Sequence, residues 1–301
     1  MKKDFLTLTD LTIAELSALL KRAVDLKAGK DRNSCPLTGK NIGLLFEKPS
    51  TRTRVSFEAA VYQLGGNSIC MNRQDIQLGH GETMADTART LSRYLNGIVI
   101  RTFGHSLLKQ FSENSAIPVI NGLSDIHHPC QSLADLMTIY EKKGVFKGLK
   151  AAFIGDGNNV CNSLIEAASM MGFGLTIACP EGFGPNPEVL EKALSFAKSE
   201  IVVLRDPKEA AGNADVVYTD AWVSMGQEKE AEAKKNKFQG YQVNSRLLSC
   251  SKKDVIVLHC LPAHRGEEIT DEVIDGPHSA VFDQAENRLH TQKALLEMLI
   301  K

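Results

Sequence analysis

The chain has 301 residues, 43% of them hydrophobic and 24% charged, a globular composition long enough for two domains with separate cores. Its 35 Lys plus Arg against 36 Asp plus Glu leave a net charge of −1, which excludes a general electrostatic drive toward nucleic acid or membrane. No apolar run is long enough to span a bilayer, and Met1-Lys2-Lys3-Asp4-Phe5 turns polar too soon for a secretory signal.

In chain order, Thr9 to Thr12 followed by Ile13, Leu16, Leu19, Leu20 and Val24 predicts a capped amphipathic helix. Asn41 to Phe46 is a short apolar strand, and Arg52 to Leu64 a helix stopped by Gly65-Gly66. Gly97–Ile100 and Ile117–Ile120 predict two strands with a helix between them, and Ser132–Lys142 has helical spacing. A second run starts with a strand at Leu149–Ile154, a helix from about Asn162 to Met171 and a strand at Leu175–Ala178. Further strands are expected at Ile201–Leu204, Val216–Tyr218 and Val255–Leu258, and a terminal helix at Gln284–Leu299. Apolar strands alternating with helices specify an α/β fold of mainly parallel sheets covered on both faces. Lys142 to Gly148 marks the boundary, giving domains of 1–143 (plus a C-terminal helix, 286–301, returning to it) and 144–285, with an active-site cleft expected between them. The seven cysteines, Cys35, Cys70, Cys130, Cys161, Cys179, Cys250 and Cys260, form no Cys-x-x-Cys pair, which points to reduced thiols and a cytoplasmic home.

Glu47-Lys48-Pro49-Ser50-Thr51-Arg52-Thr53-Arg54 joins a strand to a helix. That arrangement aims unpaired N–H groups and the positive end of the helix dipole at an anion. Ser50, Thr51 and Thr53 add hydroxyl donors, and Arg52 and Arg54 add guanidinium forks suited to phosphate. A plain N-cap needs one hydroxyl rather than three interleaved with arginines. The glycines of a nucleotide P-loop are missing, so the target is a single phosphate group. Arg101 and the segment His127-His128-Pro129-Cys130-Gln131 follow other strands, where ligands of open α/β sheets gather. No further ligand is spaced to make the two histidines a metal site.

Ser50 to Arg54 resembles the carbamoyl phosphate motif of the aspartate/ornithine carbamoyltransferase family. His128-Pro129-Cys130-Gln131, Asp220-Ala221-Trp222-Val223-Ser224-Met225-Gly226 and His259-Cys260-Leu261-Pro262 resemble its ornithine branch, in order along nearly the whole chain. The resemblance implies transfer of a carbamoyl group from carbamoyl phosphate to the side-chain amine of ornithine, giving citrulline and phosphate, in arginine biosynthesis or in reverse. It implies that Ser50, Thr51, Arg52 and Thr53 hold the phosphate. Arg101, His128 and Gln131 orient the carbamoyl group, with Pro129, Cys130 and Leu261 lining it and Arg288 closing on it. Gln77 matches a loop that reaches a neighbouring subunit's site, which implies a homotrimer with shared active sites. Asn159, Asp220, Ser224 and Met225 are implied to bind ornithine, with Asp220 on its α-ammonium, and Cys260 to meet the reacting amine. Arg101, His128 and Cys260 are the implied catalytic residues, and no metal or cofactor is expected.

Gly155-Asp156-Gly157-Asn158-Asn159 also invites a dinucleotide reading, but Val160 stands where the third glycine belongs. A ligand-binding sensor that kept the fold without turnover is the alternative from another class. Aspartate, putrescine or an acylated ornithine are the alternative acceptors.

Overall fold

The computed structural model describes residues 3–31, 33–72, 74, 81–223 and 231–301. The chain divides into two compact units, Met1–Met137 with Glu286–Lys301, and Thr138–Ala285. The expected two-domain α/β architecture with parallel sheets flanked by helices is present.

The first unit opens with a 3-10 turn at Leu8–Asp10 and α1 (Ile13–Lys27), capped by Thr12, whose hydroxyl takes the Glu15 N–H while the Glu15 carboxylate takes the Thr12 N–H. Its sheet holds β1 (Asn41–Phe46), β2 (Asn67–Asn72), β3 (Gly97–Arg101) and β4 (Val119–Leu123) in the order β2-β1-β3-β4, all parallel. Helices α2 (Thr51–Gln63), α3 (Met84–Leu91), α4 (His105–Asn114) and α5 (Pro129–Lys143) connect and follow these strands. Leu45, Ile98, Ile100, Leu108, Phe111 and Val119 pack as one apolar cluster. Fully burying side chains of this size contributes about 1.5–3 kcal/mol each. The strand order reverses between β1 and β3, where Phe46 pairs with Arg101, so the loops after both strands open at the switch point of the sheet.

The second unit carries β5 (Lys150–Ile154), α6 (Asn159–Met171), β6 (Gly174–Ala178), α7 (Pro187–Leu194), β7 (Ile201–Leu204), α8 (Pro207–Ala211), β8 (Val216–Thr219), α9 (Ala231–Lys237), α10 (Ser245–Leu248), β9 (Ile256–His259) and α11 (Asp271–Ile274). The last helix, α12, is Val281–Leu299. The sheet is parallel in the order β7-β6-β5-β8-β9, with its switch point between β5 and β8. Ile154 pairs with Thr219, and Thr219 with His259, so Gly155, Asp220 and Cys260 leave their three strands at one level. Gly155 needs its lack of a side chain at φ +134°, and a Cβ on Gly157 would lie 2.3 Å from the backbone of Gly184.

Candidate active site

In the first unit, Ser50 is the N-cap of α2, its hydroxyl accepting the Thr53 N–H at 3.2 Å. The cap thus sits at the helix N-terminus where an anion is expected. Thr53 is buried while Thr51 is exposed, and Arg52 is half-buried. Arg54 departs from expectation. Two helical positions turn the side chain about 200° from Arg52, and it pairs with Glu58 at 3.0 Å on the exposed face. Of the two arginines, Arg52 alone is half-buried at this helix start.

Arg288, 3% exposed on α12, reaches the same helix start: its Nη1 donates to Gln131 Oε1 at 2.8 Å and its Nη2 to Thr53 Oγ1 at 3.3 Å. Gln131 Nε2 in turn donates to Asp135 Oδ1 at 2.9 Å, which fixes the amide orientation. Arg101, 8% exposed, ends β3. His128 lies just before α5, and burial holds its imidazole well below the ordinary histidine range, with Arg288, Arg101 and Arg52 adding to the effect. Neutral imidazole among three guanidinium groups can donate to or accept from a ligand oxygen without adding charge. Pro129 and Cys130 open α5; the Cys130 thiol donates to the Asn121 carbonyl, and burial pushes it up to about 12, so it is an inert core thiol.

Lys48 and Glu47 escaped the sequence reading. The Lys48 ammonium stands 4.1 Å from the Phe103 ring centre, and burial, then Arg101, lowers its pKa. Glu47 receives the Thr102 hydroxyl, and its N–H donates to the Arg101 carbonyl at 2.9 Å, tying the ends of β1 and β3 together. Only the charge of Lys48 next to the motif hinted at either.

In the second unit the centre is Asp220. Its Oδ1 accepts the Cys260 thiol at 2.8 Å and the Ala221 N–H at 2.8 Å, and its Oδ2 accepts Asn158 Nδ2 at 2.7 Å. Asn158 rather than Asn159 makes this contact, because it is the N-cap of α6; its Oδ1 takes the N–H groups of Val160 and Cys161. Its cap position after a strand was the available signal. Asn159 is the first residue of the helix and half-buried. The dinucleotide reading loses its ground here, since the Asn158 side chain occupies the helix terminus where a pyrophosphate would sit.

His259 is fully buried. Its Nδ1 accepts the Leu261 N–H at 2.9 Å, so Nε2 carries the proton and donates to Glu268 at 3.0 Å. This holds Leu261 in a left-handed conformation, φ +58°, before a cis Leu261-Pro262 bond. The fold also brings ligand atoms of Asp220, His259 and Cys260 within 4.8 Å, a set that sequence spacing did not suggest. Each of the three already serves in the hydrogen bonds just described. Gln77, Ser224 and Met225 lie outside the described residues.

Burial of His128 has a consequence for stability. An unfolded histidine takes up a proton near 6.5, folded His128 only well below it. Between those values the unfolded chain binds more protons, so this stabilisation is complete above about pH 6.5 and is lost as pH falls. His128→Asn is expected to flatten the fall in Tm between about pH 7 and pH 5. Identical slopes in thermal melts of both proteins would contradict the burial argument.

One parallel α/β unit thus carries a guanidinium-rich cluster at a helix N-terminus, and the other a carboxylate-centred cluster at the ends of three strands, with no nucleotide loop. The chain belongs to the aspartate/ornithine carbamoyltransferase family: residues 3–141 match the family's carbamoyl-P binding domain and residues 147–299 its Asp/Orn binding domain. It is 54% identical over 302 aligned residues to an ornithine carbamoyltransferase of Syntrophus aciditrophicus, covering all of both chains. It is 54% identical to one of Bacillus thuringiensis, covering 99% of this chain and 95% of that one. The solved ornithine carbamoyltransferase of Pyrococcus furiosus is 48% identical, with a TM-score of 0.94 over 99% of this chain and 97% of that one.

Proposed function

We propose that this chain transfers the carbamoyl group of carbamoyl phosphate to the side-chain amine of L-ornithine, giving L-citrulline and phosphate. The observation that carries the reading is the group of Arg52, Arg101 and Arg288 acting on neutral, buried His128, a charge pattern made for a phosphorylated carbonyl compound.

Phosphate sits on the N-terminus of α2, held by Ser50, Thr51, Arg52 and Thr53. Arg101, His128 and Gln131 orient the carbamoyl group beside Pro129 and Cys130, and Arg288 neutralises the remaining phosphate charge while gripping Gln131 and Thr53. Asp220 takes the α-ammonium of ornithine, with Asn159, Ser224 and Met225 completing its site. Cys260 and the backbone around Leu261 face the reacting amine. That amine, with a pKa near ~10.4 in water, must arrive or become neutral, which desolvation favours. Its lone pair then forms the C–N bond to the carbamoyl carbon, and charge builds on the carbonyl oxygen against Arg101, Thr53 and His128. The C–O bond to phosphate breaks with its electron pair leaving on phosphate, which removes the amine proton. Direct attack needs no acyl-enzyme, and holding both substrates in one orientation supplies much of the rate.

The protein works as a cytoplasmic homotrimer in which Gln77 reaches a neighbouring subunit's site. None of the seven cysteines is in a disulfide, as a reducing compartment keeps them. Val55 and Tyr62 on α2 and Ile69 on β2 expose 57%, 82% and 40% of their surface, apolar area that a subunit contact would cover. Among the described residues no helix is long and apolar enough to cross a membrane.

Steady-state citrulline formation with ornithine, aspartate and putrescine as separate acceptors tests the function. Strong preference for ornithine is expected. Turnover with another amine in its place would keep the phosphate site and discard the acceptor assignment. Carbamoyl phosphate binding without turnover on any acceptor would favour a sensor.

A further inference from the structure

Beside the acceptor cluster stands an ion pair that the mechanism leaves unused. Lys234 Nζ donates to Asp156 Oδ2 at 2.6 Å, and both side chains are nearly buried, 9% and 13% exposed. The ammonium also lies 5.3 Å and 5.7 Å from the ring centres of Phe183 and Phe238. Burying two charges is expensive, and an apolar pair would serve stability as well or better. What the pair touches gives it another use. Asp156 belongs to the loop after β5, and its carbonyl accepts the Asn158 N–H at 2.7 Å. Asn158 holds Asp220. Lys234 lies in α9, which begins directly after residues 224–230, the segment containing Ser224 and Met225.

We propose that Asp156 and Lys234 are a charge-balancing pair for the amino-acid acceptor: beside the loop that orients Asp220 they cancel each other's charge, so that Asp220 alone presents net negative charge to an α-ammonium. This rests on the reading of Asp220 as the ammonium-binding residue. Asp220 adds to the upward push that burial gives the Asp156 carboxyl, while Lys234 opposes it. With Lys234 present, the second carboxylate is neutralised at its source. If only Asp156 were neutralised, the stranded ammonium would cancel Asp220, and a cationic acceptor would lose its counter-charge.

The test is the set D156N, D156N/K234M and wild type, with ornithine and carbamoyl phosphate varied separately. D156N is expected to raise the ornithine KM at least tenfold and leave the carbamoyl phosphate KM within twofold. The double variant, which removes both charges, is expected to return the ornithine KM to within threefold of wild type. A purely structural pair would also be relieved by removing both charges, but it would move both KM values or neither. An ornithine KM for D156N within twofold of wild type, or a double variant no better than D156N, overturns the proposal. If D156N does not fold, the double variant decides: a tenfold higher ornithine KM in a folded double variant is equally fatal. Citrulline formation by the wild type checks the underlying function, so the two readings fail separately.

Discussion

Arg101→Ala is expected to lower kcat about 10²–10³-fold with a native circular dichroism spectrum, the loss typical of one oxyanion donor. Arg101 ends β3 at the switch point of the first sheet, 8% exposed, and its field reaches both His128 and Lys48. In the proposed reaction the charge that develops on the carbamoyl oxygen has no other guanidinium assigned to it, Arg52 being given to the phosphate and Arg288 being committed to Gln131 and Thr53. The fold should survive the change. The contact that ties β1 to β3 here runs from the Glu47 N–H to the Arg101 carbonyl, a backbone bond that alanine keeps. His128 should remain neutral as well, since burial is the largest cause of its low pKa and outlasts the loss of one cation. Arg101→Lys restores charge without the planar fork and is expected to recover at most about tenfold. A kcat for Arg101→Ala within tenfold of wild type would remove Arg101 from the chemistry.

The strands were legible where they are continuous apolar runs, buried or not. Asn41–Phe46 and Ile201–Leu204 stand where periodicity put them. The edge strand β2 was not read: Asn67, Ser68 and Asn72 give it a polar, partly exposed face with no apolar run to betray it. Strand β4 was placed two residues early, at the apolar Ile117-Pro-Val-Ile120. The paired segment continues through Asn121 and Gly122, and Asn121 is tolerated in the core because its amide donates to the Leu6 carbonyl at 2.8 Å. The start of α6 was set at Asn162, three residues late, since the capping Asn158 carries no hydrophobic signal.

The site followed the same rule. The Ser50 turn could be read as an anion site from local chemistry alone. Arg288 could not: its contact with Thr53 crosses 235 residues and depends on tertiary structure, so only family resemblance pointed to it. Local reading also counted Arg54 among the guanidinium forks of this turn, whereas in the structure it pairs with Glu58 on the exposed face of the helix. Asn158 and Asp156 were missed for the opposite reason. Both lie in a segment that was noticed, but their partners, Asp220 and Lys234, are 62 and 78 residues away.

Asp220→Asn is expected to raise the ornithine KM about 10–100-fold while the carbamoyl phosphate dissociation constant stays within threefold. A hydrogen bond to a charged group contributes about 1.5–3 kcal/mol, and each 1.4 kcal/mol is a factor of ten. The substitution also disturbs the cluster from within. Asp220 accepts three donors, from Cys260, Ala221 and Asn158. An amide has one accepting oxygen, so either the Asn158 amide or the pair of Cys260 and Ala221 must face a donor instead. Asn158 caps α6 through its other atom, so that helix start should hold and the damage should stay local. The residues proposed to hold carbamoyl phosphate, Ser50 to Thr53, Arg101, His128 and Arg288, belong to the other compact unit. Titration of each ligand separately into wild type and variant decides the matter. A selective loss of ornithine identifies Asp220 as its counter-charge. An equal loss of both ligands would mean that the carboxylate supports the fold as a whole, and the acceptor assignment would fall with it.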